Sequence, residues 1–447
     1  MRILLTVHQF FPQFTFGTEV LTYSVARELI ARGHEVRVLT GYPTDRNLAD
    51  EERFDEYLFE GIQVYRFYHV YSTAAGQPSK RRLGYDNPLA AAYFKQVLDR
   101  FEPDVVHFFH LSLLGTGLID HAVDACIPAF MTATDFWPIC PTAQLVLHNG
   151  RPCHGPSPFA GNCVKHLAQL TQEGLVGKIA TLLPSSAVDL LVRATQSGLL
   201  PPYPHHAEIE AVGARRGINV ARLNRLNRIL APNRLMQQML TDNGVTPHLI
   251  MQSAYGINLN ESEMDAPRAP PGQPFRLGFI GSLAHHKGCH ILIQAFKNLP
   301  IHQAVLKIYG NLEDFSEYSD ELKRLAADQP GIEFCGTFSN AKIAEVMADL
   351  DALVVPSLWY ENNPLVIYSA QASRCPVVAS DYPGISEAIR HEDNGLLFEA
   401  GNISALATQL LRLVNEPGLA ARLSANYRQP KSITRYVDEL LTLWKTA

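Results

Sequence analysis

Residues 276–289 read Arg276-Leu277-Gly278-Phe279-Ile280-Gly281-Ser282-Leu283-Ala284-His285-His286-Lys287-Gly288-Cys289. The run 276–280 is short, apolar and of strand length. Gly281 to Gly288 interrupts it, and 289–299 continues as a helix-like segment. Working outward, the same rhythm recurs. Strands are predicted at 305–309, 332–334, 353–355, 376–379 and 396–398. Helices separate them at 320–328, 340–349, 364–374 and 403–415. Strands alternating with helices predict an α/β fold with a parallel sheet covered on both faces.

The first half repeats the pattern. Strands are predicted at 3–7, 35–40, 104–109, 130–134 and 228–231. A helix is predicted at 18–32, where Leu21, Val25 and Leu29 share one face and Gly33 suits its C-cap. Between the halves, residues 265–274 hold four prolines and a glycine, which no helix interior or central strand accommodates. The predicted domains are therefore 1–260, with an insertion at about 140–214, a linker at 261–275, a second domain at 276–430, and a terminal helix at 431–447 that crosses back to the first domain.

A chain of 447 residues exceeds one ordinary core, and its 47% hydrophobic and 18% charged content is that of a globular protein. A net charge of −6 without a long basic run argues against nucleic acid. No stretch has the length and apolarity of a membrane span. The apolar start, Met1 to Leu5, meets His8 and Gln9 too soon for a signal peptide and reads as a buried strand. A cytoplasmic location is the expectation. Seven cysteines, an odd count, argue against a secreted disulfide framework.

In open parallel sheets, ligands bind where strands lead into helix N-termini. Three such turns stand out. Phe10 to Glu19 holds Gly17 before a helix start. Gly281 to Gly288 holds Lys287, which can reach a diphosphate. Pro356 to Val366 holds Glu361, able to accept from sugar hydroxyls, and Pro364 at a first helical position, leaving the N–H groups of Leu365 and Val366 free for phosphate. Taken singly, each also reads as an ordinary loop.

These segments, with Arg32-Gly33-His34-Glu35-Val36, Pro103-Asp104-Val105-Val106-His107, Ala231-Pro232-Asn233 and Asn394-Gly395-Leu396-Leu397-Phe398, occur in an order that resembles the retaining GT-B glycosyltransferases of the family 4, group 1 type. The resemblance implies two Rossmann-like doubly wound domains facing a cleft. It further implies a retaining transfer from a UDP- or GDP-sugar to a glycan, lipid-linked or small-molecule acceptor, with no catalytic metal. By resemblance, Glu361, Lys287 and Asp135 are catalytic. Gly17, Gly281, Ser282, Lys287, Glu361, Asn363, Leu365, Val366 and Ser369 are donor-binding. Three positions depart from the pattern: Ser369 replaces the second glutamate of the family's signature, Ser282 replaces a basic residue, and Thr134 replaces the histidine before Asp135. A catalytically impaired nucleotide-sugar or glycan-binding protein and a nucleotide-sugar epimerase are the competing readings.

Two features lie outside that pattern. Cys140, Cys153, Cys163 and His166 form a Cys3His set compatible with structural zinc, or with buried free thiols. Arg215, Arg216, Arg222, Arg225 and Arg228 share one mostly helical stretch. They read either as a contact with an anionic surface, such as the inner membrane face, or as a solvated helix face.

Overall fold

The computed structural model describes residues 1–70, 79–171, 182–258, 268, 270–362 and 364–446. These form two units: Met1–Ala254 with Ile433–Ala447, and Tyr255–Ser432.

Unit 1 carries β1 (Arg2–Val7), β2 (Glu35–Thr44), β3 (Phe54–Phe59), β4 (Ile62–Val70), β5 (Val105–Phe108), β6 (Ala129–Thr132), β7 (Arg228–Ala231) and β8 (Ile250–Gln252). They form one eight-stranded sheet in the order β3-β4-β2-β1-β5-β6-β7-β8. All pairings are parallel except the β3–β4 hairpin. That hairpin is absent from the sequence reading, although 54–59 and 62–70 are rich in aromatic and β-branched residues on either side of the positive-φ pair Glu60-Gly61. The inner strands β1 and β5 are buried almost end to end, which a parallel sheet covered on both faces requires. From β1 the chain moves first to β2 and later to β5 on the opposite side. The topological switch point of this sheet therefore lies between β1 and β5.

The connection from β6 to β7 holds the irregular segment after Thr132 and the helices Gly161–Thr171, Ser185–Gln196 and His206–Leu223. The helix Ile433–Trp444 packs within unit 1. Its Tyr436 hydroxyl lies 2.8 Å from the Thr132 hydroxyl, and Trp444 Nε1 donates to His107 Nδ1 at 3.3 Å.

Unit 2 is a wholly parallel six-stranded sheet: β9 (Phe275–Ile280), β10 (Ala304–Tyr309), β11 (Ile332–Gly336), β12 (Ala352–Val355), β13 (Val377–Ser380) and β14 (Gly395–Phe398). Its order β11-β10-β9-β12-β13-β14 puts the switch point between β9 and β12. Residues 255–258, expected in the first domain, belong to this unit. Asn362 Nδ2 donates to the Tyr255 hydroxyl at 2.8 Å, Ile257 packs with Ala372, and Ile257 N–H donates to Lys431 O at 3.0 Å. Of the expected linker, Gly272 N–H bonds Asp351 and Phe275 opens β9. Residues 259–267 and 269 lie outside the described residues.

The start of β9 is fixed by an ion pair whose carboxylate, Asp351, is buried. Asp351 accepts from the backbone N–H of Gly272 and Arg276 and from Arg276 Nε and Nη2, at 2.7–3.2 Å. Burial alone would raise its pKa, but the Arg276 guanidinium and these N–H groups hold it below the ordinary 3.8. Such a pair stabilises the fold above the unfolded pKa and loses that contribution as pH falls through the depressed folded value. Replacing Asp351 by asparagine should therefore destabilise unit 2 by about 1–3 kcal/mol at pH 7, because the charge-assisted bonds from Arg276 and two backbone N–H groups weaken while Arg276 keeps Asp349 at 3.2 Å. The same substitution should cost less at strongly acidic pH. Urea titration followed by fluorescence of Trp359, the tryptophan of unit 2, measures both.

Candidate functional site

The loops after β9 and β12 flank the switch point of unit 2. The β9 loop closes with Gly281 N–H donating to Tyr309 O at 3.1 Å and then turns through the 3-10 segment His285–Lys287. Gly288 ends that turn at φ +72°, and a Cβ there would stand 1.9 Å from Pro356 O. Only glycine lets this turn lie against the exit of β12, and Leu358 N–H donates to His286 O at 2.8 Å across the junction.

That approach brings Lys287 to Glu361, with Nζ 2.6 Å from Oε1. The same oxygen accepts from the Ser357 hydroxyl at 2.7 Å and from Trp359 Nε1 at 2.9 Å. Glu361 is only 6% exposed. Burial would push its pKa up, yet the Lys287 ammonium and these donors hold it below 4.5. Lys287 Nζ also sits 5.0 Å from the centre of the Trp359 ring. His286 packs beside that ring at 4.2 Å. Burial, then Lys287, pull its pKa down to about 4, so it is neutral at physiological pH. Ser357, Trp359 and His286 escaped the sequence reading, since nothing in their spacing signals that Ser357 and Trp359 share a carboxylate oxygen or that His286 packs beside the indole.

After Glu361 the chain enters the helix Leu365–Ala372, whose N-cap, Pro364, offers no side-chain acceptor. Leu365 and Val366, its first two residues, have N–H groups without an intrahelical acceptor, and both are part-exposed. Ser369 turns its hydroxyl back to Leu365 O at 3.1 Å. Ser282 is part-exposed in the β9 loop, and Asn363 lies outside the described residues. The unit thus sets an ammonium, a buried carboxylate and an uncapped helix start on the two loops of one switch point. A diphosphate and a polyhydroxylated group are what such donors and acceptors bind.

In unit 1, Gly17 is the exposed first residue of the helix Gly17–Ala31, whose N-cap, Phe16, supplies no side-chain bond. Asp135 follows β6 with its side chain 33% exposed. Its Oδ1 accepts from Trp137 N–H at 2.7 Å, and its Oδ2 lies 2.8 Å from His110 Nε2. Because His110 Nδ1 accepts from Ser112 N–H at 3.1 Å, the ring proton belongs on Nε2 and is donated to Asp135. Thr134 donates to Phe109 O at 2.9 Å.

The cysteines gather without forming a metal centre. Cys140, Cys153, Cys163 and His166 line one small cavity with Thr142 and Asn162. Among the described residues, however, no group of three or more His, Cys, Asp or Glu is arranged to hold a metal ion. Burial pushes the thiols of Cys153 and Cys163 up. The zinc expectation is therefore unsupported, and the three stand as free thiols.

The arginine stretch is engaged inside unit 1. Arg215 is buried and donates to Trp137 O, and Arg216 donates to Pro158 O at 2.7 Å. Arg222 pairs with Asp120 and Asp86 at 2.7 and 2.9 Å, and Arg225 with Asp120 and Asp124 at 2.5 Å. Neither a free cationic face nor a fully solvated one describes these four. Among the described residues no helix is long and apolar enough to cross a membrane.

Comparison with known proteins gives consistent results. Residues 260–430 match the family described as glycosyl transferases group 1, and residues 16–156 match glycosyltransferase family 4. An uncharacterized glycosyltransferase of Methanocaldococcus jannaschii is 31% identical over 141 residues, 31% of this chain and 36% of that protein. An amylovoran biosynthesis glycosyltransferase of Erwinia amylovora is 29% identical over 205 residues, 43% of this chain and 49% of that protein. The chain thus spans about half, or less, of the length of these curated relatives. The crystal structure of Anabaena Alr3699/HepE in complex with UDP and glucose is similar with a TM-score of 0.64 at 17% identity, over 100% of both chains. At that identity the likeness establishes the fold, a GT-B fold with two Rossmann-like units.

Proposed function

The chain belongs to the glycosyltransferases, with a group 1 segment at residues 260–430 and a family 4 segment at 16–156, and from that premise we propose that it transfers a sugar, with retention, from a nucleotide-sugar donor to a hydroxyl of a carbohydrate or lipid-linked acceptor. The observation that carries this reading is the Lys287–Glu361 pair beside the uncapped start of the helix Leu365–Ala372. Without donor, the ammonium neutralises the buried carboxylate. With donor, the diphosphate competes for Lys287, and the N–H groups of Leu365 and Val366 share its charge. Glu361 then accepts from hydroxyls of the transferred sugar. Gly281, Ser282 and Asn363 line the donor, Ser369 meets the ribose, and Gly17 lets the backbone approach the phosphates. Asp135, held by His110, accepts from the acceptor hydroxyl.

Transfer breaks the bond from the anomeric carbon to the diphosphate and forms one to the acceptor oxygen, releasing the hydroxyl proton and a nucleoside diphosphate. Stabilising the departing diphosphate is the main demand, and a lysine with helix N–H groups meets it. The similar Anabaena protein binds UDP and glucose, which favours a uridine donor over a guanosine one. The Erwinia relative serves amylovoran biosynthesis, which favours a polysaccharide acceptor.

Calorimetry with UDP-, GDP-, ADP- and dTDP-sugars tests the donor half. One nucleotide class should bind the wild type and lose most of its affinity in Lys287→Ala. Absence of binding across all four would sink the reading and favour a binding protein that has lost its donor. Transfer to an acceptor, with the anomeric configuration of the product read by NMR, tests the rest.

A further inference from the structure

Four ionisable side chains from separate segments converge at the switch point of unit 1. His8 follows β1, His110 follows β5, Asp135 follows β6, and Glu19 stands in the first turn of the helix Gly17–Ala31. The His8 and His110 rings are 4.0 Å apart. Glu19 is fully buried at 0% exposure, and His8 Nε2 lies 3.5 Å from its Oε1, long for a hydrogen bond. Both carboxyl oxygens of Glu19 and His8 Nδ1 are buried without a well-aligned hydrogen-bond partner, and the backbone N–H groups of Phe16 and Glu19 stand near the carboxylate. A carboxylate so buried and so poorly partnered is penalised, which favours its protonated form.

We propose that Glu19 and His8 hold one proton between them and serve as a positioning pair behind the His110–Asp135 dyad, keeping the hydrogen bond between His110 and Asp135 in place when the acceptor binds. The proton resides on Glu19. Burial raises the carboxyl pKa to about 7; backbone N–H groups and His110 pull it down, and Asp135 adds to the rise. Burial, and then His110, hold His8 well below the ordinary imidazole value. The charged groups of the same helix, Arg27, Glu28 and Arg32, and Asp438 of the packed C-terminal helix, belong to the far end, at least two turns from Glu19. Arg215 approaches the cluster from the Asp135 side, bonded to Trp137 O. When Glu19 ionises, its negative charge draws the His110 ring away from Asp135 and weakens acceptor engagement.

The activity arm of the test rests on the proposed sugar transfer; the spectroscopic arm does not. In the full chain with labelled histidines, the His8 ring should stay unprotonated from about pH 5.5 to about pH 8.5, with its nitrogen shifts stepping near the Glu19 ionisation. Glu19→Gln should abolish that step. A His8 that becomes imidazolium around its ordinary pKa, or no step in the wild type, overturns the proposal, and the wild-type titration decides this even if the variant fails to fold. With a transferable donor and acceptor, wild-type kcat/KM for the acceptor should fall about tenfold per pH unit above the Glu19 ionisation, while Glu19→Gln keeps its low-pH value. Superimposable pH profiles for the two folded proteins would also overturn it. An enzyme that binds no nucleotide-sugar would remove the transfer reading and leave the titration standing as the test of the pair.

Discussion

Replacing Lys287 by alanine is expected to weaken donor binding by roughly 2–3 kcal/mol, about 30- to 150-fold in Kd. It should also destabilise unit 2 by about 3–5 kcal/mol. The two losses have different causes. Affinity falls because the ammonium that meets the diphosphate is gone. Stability falls because Glu361, 6% exposed, keeps only the Ser357 hydroxyl and Trp359 Nε1 as partners on Oε1. Burial then dominates and the carboxyl pKa rises. The double substitution Lys287→Ala with Glu361→Gln separates the effects. It removes the unpaired charge and should recover most of the stability, while donor affinity stays low or drops further. Lys287→Arg keeps the charge but replaces a compact ammonium with a planar fork, and should fall between the wild type and alanine. Calorimetry gives the affinity, and denaturant titration of Trp359 fluorescence gives the stability. If Lys287→Ala binds donor like the wild type, the lysine serves only to neutralise Glu361, and the diphosphate lies elsewhere.

The two members of this pair could be singled out, though not their contact, because each lies in a local strand-to-helix turn, and the resemblance gave them their roles. Gly281 to Gly288 and Pro356 to Val366 each join an apolar run to a helix, and Pro364 marks the helix start through its own missing N–H. The alternation of strands and helices was legible for the same reason: a strand buried on both faces reads as a continuous apolar run wherever it occurs. What remained hidden depends on distant chain segments meeting. Glu19 looked like part of an ordinary strand-to-helix loop. Only the pairing of β1 with β5, and of β5 with β6, places His8, His110 and Asp135 around it. Arg215 shows the opposite failure. As a charged residue in a polar helix it suggested a surface, yet two carbonyls of the loop after β6 draw it inside. Cysteine spacing foretold that Cys140, Cys153 and Cys163 would gather, but spacing alone carries no information about whether the thiols stay protonated.

Gly288→Ala is expected to have the largest effect of any single methyl group in unit 2. The residue lies at φ +72°, where an L side chain costs about 1–2 kcal/mol by itself. The added Cβ would also stand 1.9 Å from Pro356 O and 2.9 Å from Pro356 C, both backbone atoms that cannot rotate aside. Relief requires the His285–Lys287 turn to separate from the β12 exit, breaking the bond from Leu358 N–H to His286 O and drawing Lys287 from Glu361. The total should reach about 4–6 kcal/mol, at the extreme of single substitutions. Gly336→Ala is the matched control, since Gly336 has φ +69° but nothing within 4 Å of its Cβ position. It should lose only the backbone share, about 1–2 kcal/mol, and bind donor normally. The difference between the two variants isolates the contact between the loops. If both lose the same stability, the β9 and β12 loops do not depend on that contact, and the geometry of the Lys287–Glu361 pair must be maintained by the donor rather than by the fold.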